Sequence, residues 1–177
     1  PGIVSDDKEI TVTLSGEMGS TGAYMVQIRR PYTIQEFSAD PDSPFIEIAI
    51  PKDADLSLLE IVLIDTETDV EIDRYVPASD SEIVNDGIIV ISGTQMEESD
   101  AVHNAAALPS DSSFAIQLFY AQELLDAVQV GRGTVSYGEG NSVITNTSAK
   151  TFFRIANIDT NDNASDFAAT YIRTPGK

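Results

Sequence analysis

The chain has no cysteine and no tryptophan, one histidine and only four lysines. Without cysteine there is no disulfide, no thiolate nucleophile and no zinc–cysteine site. One histidine falls short of the histidine-rich sets that zinc and copper usually take. Any Ser-His-Asp triad would have to use that residue, His103, which stands beside Asn104 in a polar stretch, and the sequence has no G-x-S-x-G turn. The expected role of His103 is that of a solvated loop residue. No catalytic or cofactor-binding residue is assigned, and the chain is read as no enzyme. Long apolar runs are missing as well. The longest, IIVI at 88–91 and AAAL at 105–108, fall far below the roughly 20 residues of a membrane-spanning helix, so no membrane insertion is expected.

Acids are abundant: 29 Asp and Glu against 10 Lys and Arg, a formal net charge of −19. Such a field repels phosphate backbones and anionic lipid, which argues against nucleic-acid binding. Two uses remain open for it, a solvated surface suited to salty surroundings and capture of divalent cations. The adjacent basic pair Arg29-Arg30 is expected to form local ion pairs. The 177 residues, 42% hydrophobic, suffice for one globular domain with or without an arm. The first residue is Pro1, which fits a processed mature chain freed of its signal peptide, or a trimmed one. Asn146-Thr147-Ser148 and Asn163-Ala164-Ser165 match the glycosylation sequon and suggest an extracellular or cell-surface location.

The dominant period is two, the mark of strands with one face in a core. Ile10, Val12 and Leu14 alternate with Thr and Ser, and Tyr24, Val26 and Ile28 with polar or flexible neighbours. Ile46, Ile48 and Ile50 share a face, as do Phe114, Ile116, Leu118 and Tyr120, and then Leu124, Asp126, Val128 and Val130. LLEIVLID (58–65) and DGIIVISG (86–93) read as buried strands. VEIDRYV (70–76) pairs with the first of these through DTETD, and YAQE (120–123) is a hairpin turn. Residues 92–113 read as a long polar loop with one helical turn near 100–106. Eight or nine strands at this spacing predict an antiparallel β-sandwich. Residues 1–20 stand apart. Their strand ITVTLSGE runs into a glycine-rich hinge, GEMGSTG (16–22), and is either a first strand of the sandwich or an arm that completes a neighbour's sheet.

Three places in the sequence bear on chemistry. DTNDNASD (159–166) offers oxygen ligands at the first three EF-hand positions, but Ala164 stands where glycine is needed and Thr170 where the bidentate glutamate is needed. The alternatives are a structural calcium site built on Asp159, Asp162 or Asp166, and Asx turns in which these side chains bond their own backbone. Glu47, between Ile46 and Ile48, is expected to face solvent or a cross-strand partner such as Arg74. GRGTVSYGEGN (131–141) lacks the lysine and the helix of a phosphate loop and reads as a connection.

The stretch FFRIANIDTNDNASDFAATYIRTPG (152–176) resembles the closing segment of bacterial and archaeal lamin-tail-like domains. It has an arginine-bearing strand (Arg154), an Asp/Asn-rich turn (159–164), Asp166-Phe167 and a terminal Thr174-Pro175-Gly176. FIEI (45–48), DLSLLEIVLID (55–65), DGIIVIS (86–92) and 108–130 resemble earlier strands of that family. Leu58-Leu59 replaces its Gly-Trp, and its early Asn-Glu motif is absent. The resemblance implies an all-β, immunoglobulin-like antiparallel sandwich of the lamin-tail type, without catalytic residues, spanning 21–177 after the 1–20 arm. It implies an accessory module of secreted or surface proteins. The expected function is a non-enzymatic extracellular structural or adhesive subunit, a homo-oligomer or homopolymer joined by N-terminal strand addition into a filament or layer. The alternative is a ligand- or cell-wall-binding module of a secreted enzyme.

Overall fold

The computed structural model describes residues 32–78, 87–132, 136–143 and 148–176. The expected strands at 10–14 and 24–28, the 1–20 arm with its hinge, Arg29-Arg30 and the Asn146 sequon lie outside the described residues. Within them the protein is nearly all β, with two sheets packed as a sandwich. The larger sheet holds β1 (Thr33–Ser38), β2 (Phe45–Ala49), β5 (Ile88–Ser92), β6 (Ala101–Val102), β9 (Thr151–Arg154) and β10 (Phe167–Thr170), ordered β10-β9-β1-β2-β5-β6. The smaller holds β3 (Leu59–Asp65), β4 (Val70–Tyr75), β7 (Phe114–Tyr120) and β8 (Glu123–Val130), ordered β4-β3-β7-β8. Every strand pair is antiparallel except β5 with β6, which run parallel over two residues. One helical turn, α1 (Asn163–Asp166), precedes β10.

The period-two pattern works as expected in β2, in β7 and in β8 from Asp126 on, and β3 is the buried strand expected of its nearly continuous apolar run. Ile46 and Ile48 from β2, Ile61 and Leu63 from β3, Ile116 and Leu118 from β7 and Val128 and Val130 from β8 all enter one core. β-Branched and aromatic side chains pack well on a pleated surface, which is why these segments are strands. Phe37 of β1 sits at the centre. Its ring lies 5.1 Å from Phe152 and 5.5 Å from Phe167 in its own sheet, and 6.2 Å, edge on, from Phe114 across the sandwich. The hairpin between β7 and β8 turns on Ala121 (φ 51°) and Gln122 (φ 70°). Two successive left-handed residues match the twist of the flanking strands.

Three strands escape the alternation rule. In β8 a bulge opposite Leu118 and Phe119 takes Leu124 out of phase with Asp126, Val128 and Val130, so the face expected for all four holds only from Asp126 on. In β1 a bulge between Ile34 and Glu36 shifts the register, so apolar positions cease to fall at even spacing. β10 is only FAAT, too short to show a period. The long loop after β5 contains the two-residue β6 and a 3₁₀ turn at Asn104–Ala106. Truncating Phe37 to Ala removes the ring common to both sheets; it should cost about 3–5 kcal/mol, read as a lower midpoint in denaturant with an unchanged slope.

Candidate functional site

Ile34 of β1 stands opposite Ile48 of β2, just before the bulge, and two buried ionic side chains take up its backbone N–H and carbonyl. The Ile34 N–H donates to Asp126 Oδ2 at 2.7 Å, and Arg154 Nε donates to the Ile34 carbonyl at 2.8 Å. Arg154 Nη2 then donates to the same Asp126 oxygen at 2.6 Å. Asp126 belongs to β8 of the smaller sheet, and Arg154 ends β9 of the larger one. Both side chains are 0% exposed. The pair therefore bridges the two layers of the sandwich. Arg154 Nη1 reaches Asp166 Oδ2 at 3.2 Å and Asp159 Oδ1 at 3.6 Å, and its guanidinium carbon lies 4.6 Å above the Phe167 ring. Burial pushes the Asp126 carboxyl up to about 6 against the opposing pull of Arg154 and the Ile34 N–H, and the charge of Asp159 adds to the push.

Around this hub, two irregular segments zip together. Asn163, wholly buried at the start of α1, accepts from the Gln129 and Glu139 N–H groups at 2.9 and 3.1 Å and donates to the Ala127 carbonyl at 2.9 Å. Its own N–H donates to the Glu139 carbonyl, and the Ala164 N–H to that of Asn141. Only glycine fits at 138, where a Cβ would lie 2.3 Å from Asn163 Oδ1 and 2.7 Å from the Gln129 nitrogen. This lock delivers Glu139, 3% exposed, to the side of Asp126 and Asp159. One oxygen from each of the three carboxylates lies within 4.8 Å of the others.

The expected ligand aspartates thus separate. Asp159 stands in the three-carboxylate cluster. Asp162 lies at the surface, where it accepts from the Asn141 N–H and the Ser165 hydroxyl. Asp166 accepts from the Thr160 N–H and hydroxyl as well as from Arg154. The Asx-turn alternative is present as well, with the Asn161 N–H donating to Asp159 Oδ1. The carboxylates that join Asp159 are instead Asp126 and Glu139. Asp126 had a signal in the sequence, an acid in the inward phase of β8, where it must find a buried partner. Glu139 had none, since its place depends on a loop docking onto a turn. The Asn163 sequon is corrected: a side chain with both amide ends bonded in the interior has no room for a glycan.

His103 is half-buried rather than solvated. Its Nδ1 accepts from the Ala105 N–H at 3.1 Å, and its ring lies 5.0 Å from that of Tyr75. A polar hollow of about 360 Å³ is lined by residues including Gln129, Arg132, Gly138 and Asn141.

Glu47 also departs from expectation. It does point away from the core, but it is 4% exposed and lies directly opposite Glu36 in the β1–β2 register. The C-terminal segment covers both: the Thr174 N–H and hydroxyl donate to Glu36 at 2.9 and 2.6 Å, and the Gly176 N–H to Glu47 at 2.7 Å. Arg74 is no partner. It belongs to the other sheet and pairs with Glu60 and Glu71. Burial pushes the Glu47 carboxyl from its ordinary 4.5 up to about 7; the Gly176 N–H opposes this, and the charge of Glu36 adds to it.

No protein-family model matches the chain, and a comparison with curated proteins gives no match.

Removing one partner of the buried ion pair strands the other. Arg154→Met should therefore cost about 3–5 kcal/mol, and adding Asp126→Asn should recover part of that loss in a double-mutant cycle. For Glu47 the folded state holds its proton more tightly than the unfolded chain. Its contribution is greatest below pH 4.5, falls as pH rises to about 7 and is level above. Denaturation midpoints measured at about pH 5 and about pH 8 should therefore differ less in Glu47→Gln than in the unaltered protein.

Proposed function

We propose that this protein is a non-enzymatic structural or adhesive β-sandwich of the lamin-tail type, secreted or displayed at a cell surface, that assembles with copies of itself by strand addition. The observation that carries this reading is the β4 edge. Among the described residues β4 ends the smaller sheet, with Val70 and Ile72 about half exposed on it. An edge strand with unpaired backbone and apolar side chains is a template for another strand. The segment ITVTL (10–14), with alternating apolar residues and a glycine-rich hinge after it, is the kind of strand that such an edge accepts.

Two further features support the reading. The side chains best suited to chemistry are committed to the scaffold: Asp126 and Arg154 bridge the layers, Asp166 bonds Arg154, Glu36 and Glu47 hold the closing segment, and His103 caps a 3₁₀ turn. The Thr174-Pro175-Gly176 ending that resembles the lamin-tail family is the segment those glutamates hold. A second reading, an accessory module that binds a polar ligand, draws on the hollow beside Gln129 and Arg132.

Deletion of residues 1–15 separates these readings. The full chain should form large particles by light scattering, while the shortened chain should remain folded, by its β-type circular dichroism, as single copies. Assembly that survives the deletion, or a full chain that never assembles, would remove the strand-addition reading.

A further inference from the structure

Asp126, Glu139 and Asp159 are placed as a ligand set. Asp126 comes from β8, Glu139 from the loop over 136–143 and Asp159 from the segment that follows β9. Three segments distant in sequence thus present one carboxylate oxygen each, all within 4.8 Å of one another. Asp126 is 0% exposed and Glu139 3% exposed. Arg154 brings one positive charge to Asp126, Asp159 and Asp166 together. Acidic clusters at a protein surface are ordinary, because water screens them. Carboxylates gathered away from water are not, because each needs a partner for its charge and its lone pairs.

A second observation points to a missing ligand. Asp126 Oδ2 takes both the Arg154 guanidinium and the Ile34 N–H, whereas Asp126 Oδ1, equally buried, has no hydrogen-bond partner. A buried carboxylate oxygen left in that state is destabilising unless something binds it. It belongs to the residue that the cluster shares with the arginine hub.

We infer that Asp126, Glu139 and Asp159 bind a divalent cation, and that the ion is calcium. Calcium takes about six to eight oxygens at roughly 2.3–2.6 Å, so two of its ligands can stand up to about 5 Å apart. That shell accommodates the spread seen here. Magnesium holds its ligands at roughly 2.0–2.1 Å in a strict octahedron and keeps several waters, so a wide and largely dry carboxylate set suits it less. Water and backbone carbonyls complete calcium's shell. The ion ties β8 of the smaller sheet to the loop that carries Glu139 and to the segment leaving β9 of the larger sheet. It therefore acts as a staple between these segments, and its binding energy adds to folding. The site needs no assembly, so it stands or falls separately from strand addition.

The test uses the full chain stripped with a chelator, then titrated with calcium or magnesium by calorimetry and followed by thermal unfolding. One saturable calcium site per chain is expected. Calcium at a hundredfold excess over its dissociation constant should raise the melting midpoint by about 5–10 °C, with a smaller rise for magnesium. Glu139→Gln, which leaves every partner of Arg154 in place, should weaken calcium binding at least tenfold and remove most of the rise. Glu97→Gln, at an exposed acid, should change neither. An equal rise in Glu139→Gln and the unaltered chain would mean general screening of the acidic surface and would overturn the site. So would the lack of a one-per-chain calcium isotherm in the unaltered protein, whatever the variants do.

Discussion

The fold turns on a constraint at one bulge. β1 lies between β2 and β9, but its pairing with β9 starts only at Glu36, so the buried N–H and carbonyl of Ile34, next to the bulge, need other partners. Ile34 finds its acceptor in Asp126 and its donor in Arg154, and those two residues pair with each other. Three groups that would each be costly to bury alone satisfy one another. Because one comes from each of β1, β8 and β9, the arrangement also sets the relative position of the two sheets at that end. Hydrophobic packing around Phe37 holds the layers together without direction; the Asp126–Arg154–Ile34 triangle supplies the direction.

The acidity of the chain divides into two populations with different physics. Most of the acids among the described residues are at least partly exposed, and some of them make turns, as Asp55 and Asp65 do by accepting from backbone N–H groups two or three residues on. A small set is taken inside. Glu36 and Glu47 are buried side by side and hold the closing segment through its N–H groups. Asp126, Asp166, Asp159 and Glu139 gather around or beside Arg154. In water such neighbours would repel weakly, but in the interior each demands a donor, an arginine, a proton or a metal ion. The buried set therefore tells more about this protein than its overall charge does.

Much of the sandwich could be read directly. Strands such as β3 and β7 have long alternating or β-branched runs, and the turn between β3 and β4 is written in Asp65 to Asp69. β1 was hidden because its bulge breaks the period that makes a strand visible, and β10 because four residues carry no period at all. Of the site, Asp126 was legible as an acid in an apolar phase, and Asp159 as part of an oxygen-rich turn. Glu139 was not, since a glycine-flanked glutamate in a loop looks the same whether the loop floats or docks. Glu47 was misplaced for a related reason: alternation shows which face a side chain takes, but not whether a distant segment comes to cover that face.

Alone, the sequence determined the β class, the lack of thiol and multi-histidine chemistry, and which positions face the core, because these depend on composition and on a period of two residues. The tertiary structure decided which acids are buried, which meet Arg154, and that Asn163 is a lock and no glycan acceptor. Those outcomes depend on contacts between residues far apart in the chain, such as Ile34 with Asp126 and Arg154, or Glu47 with Gly176. Local pattern carries no record of such contacts, since the free energy that selects them comes from desolvation and from hydrogen bonds formed only once the layers close.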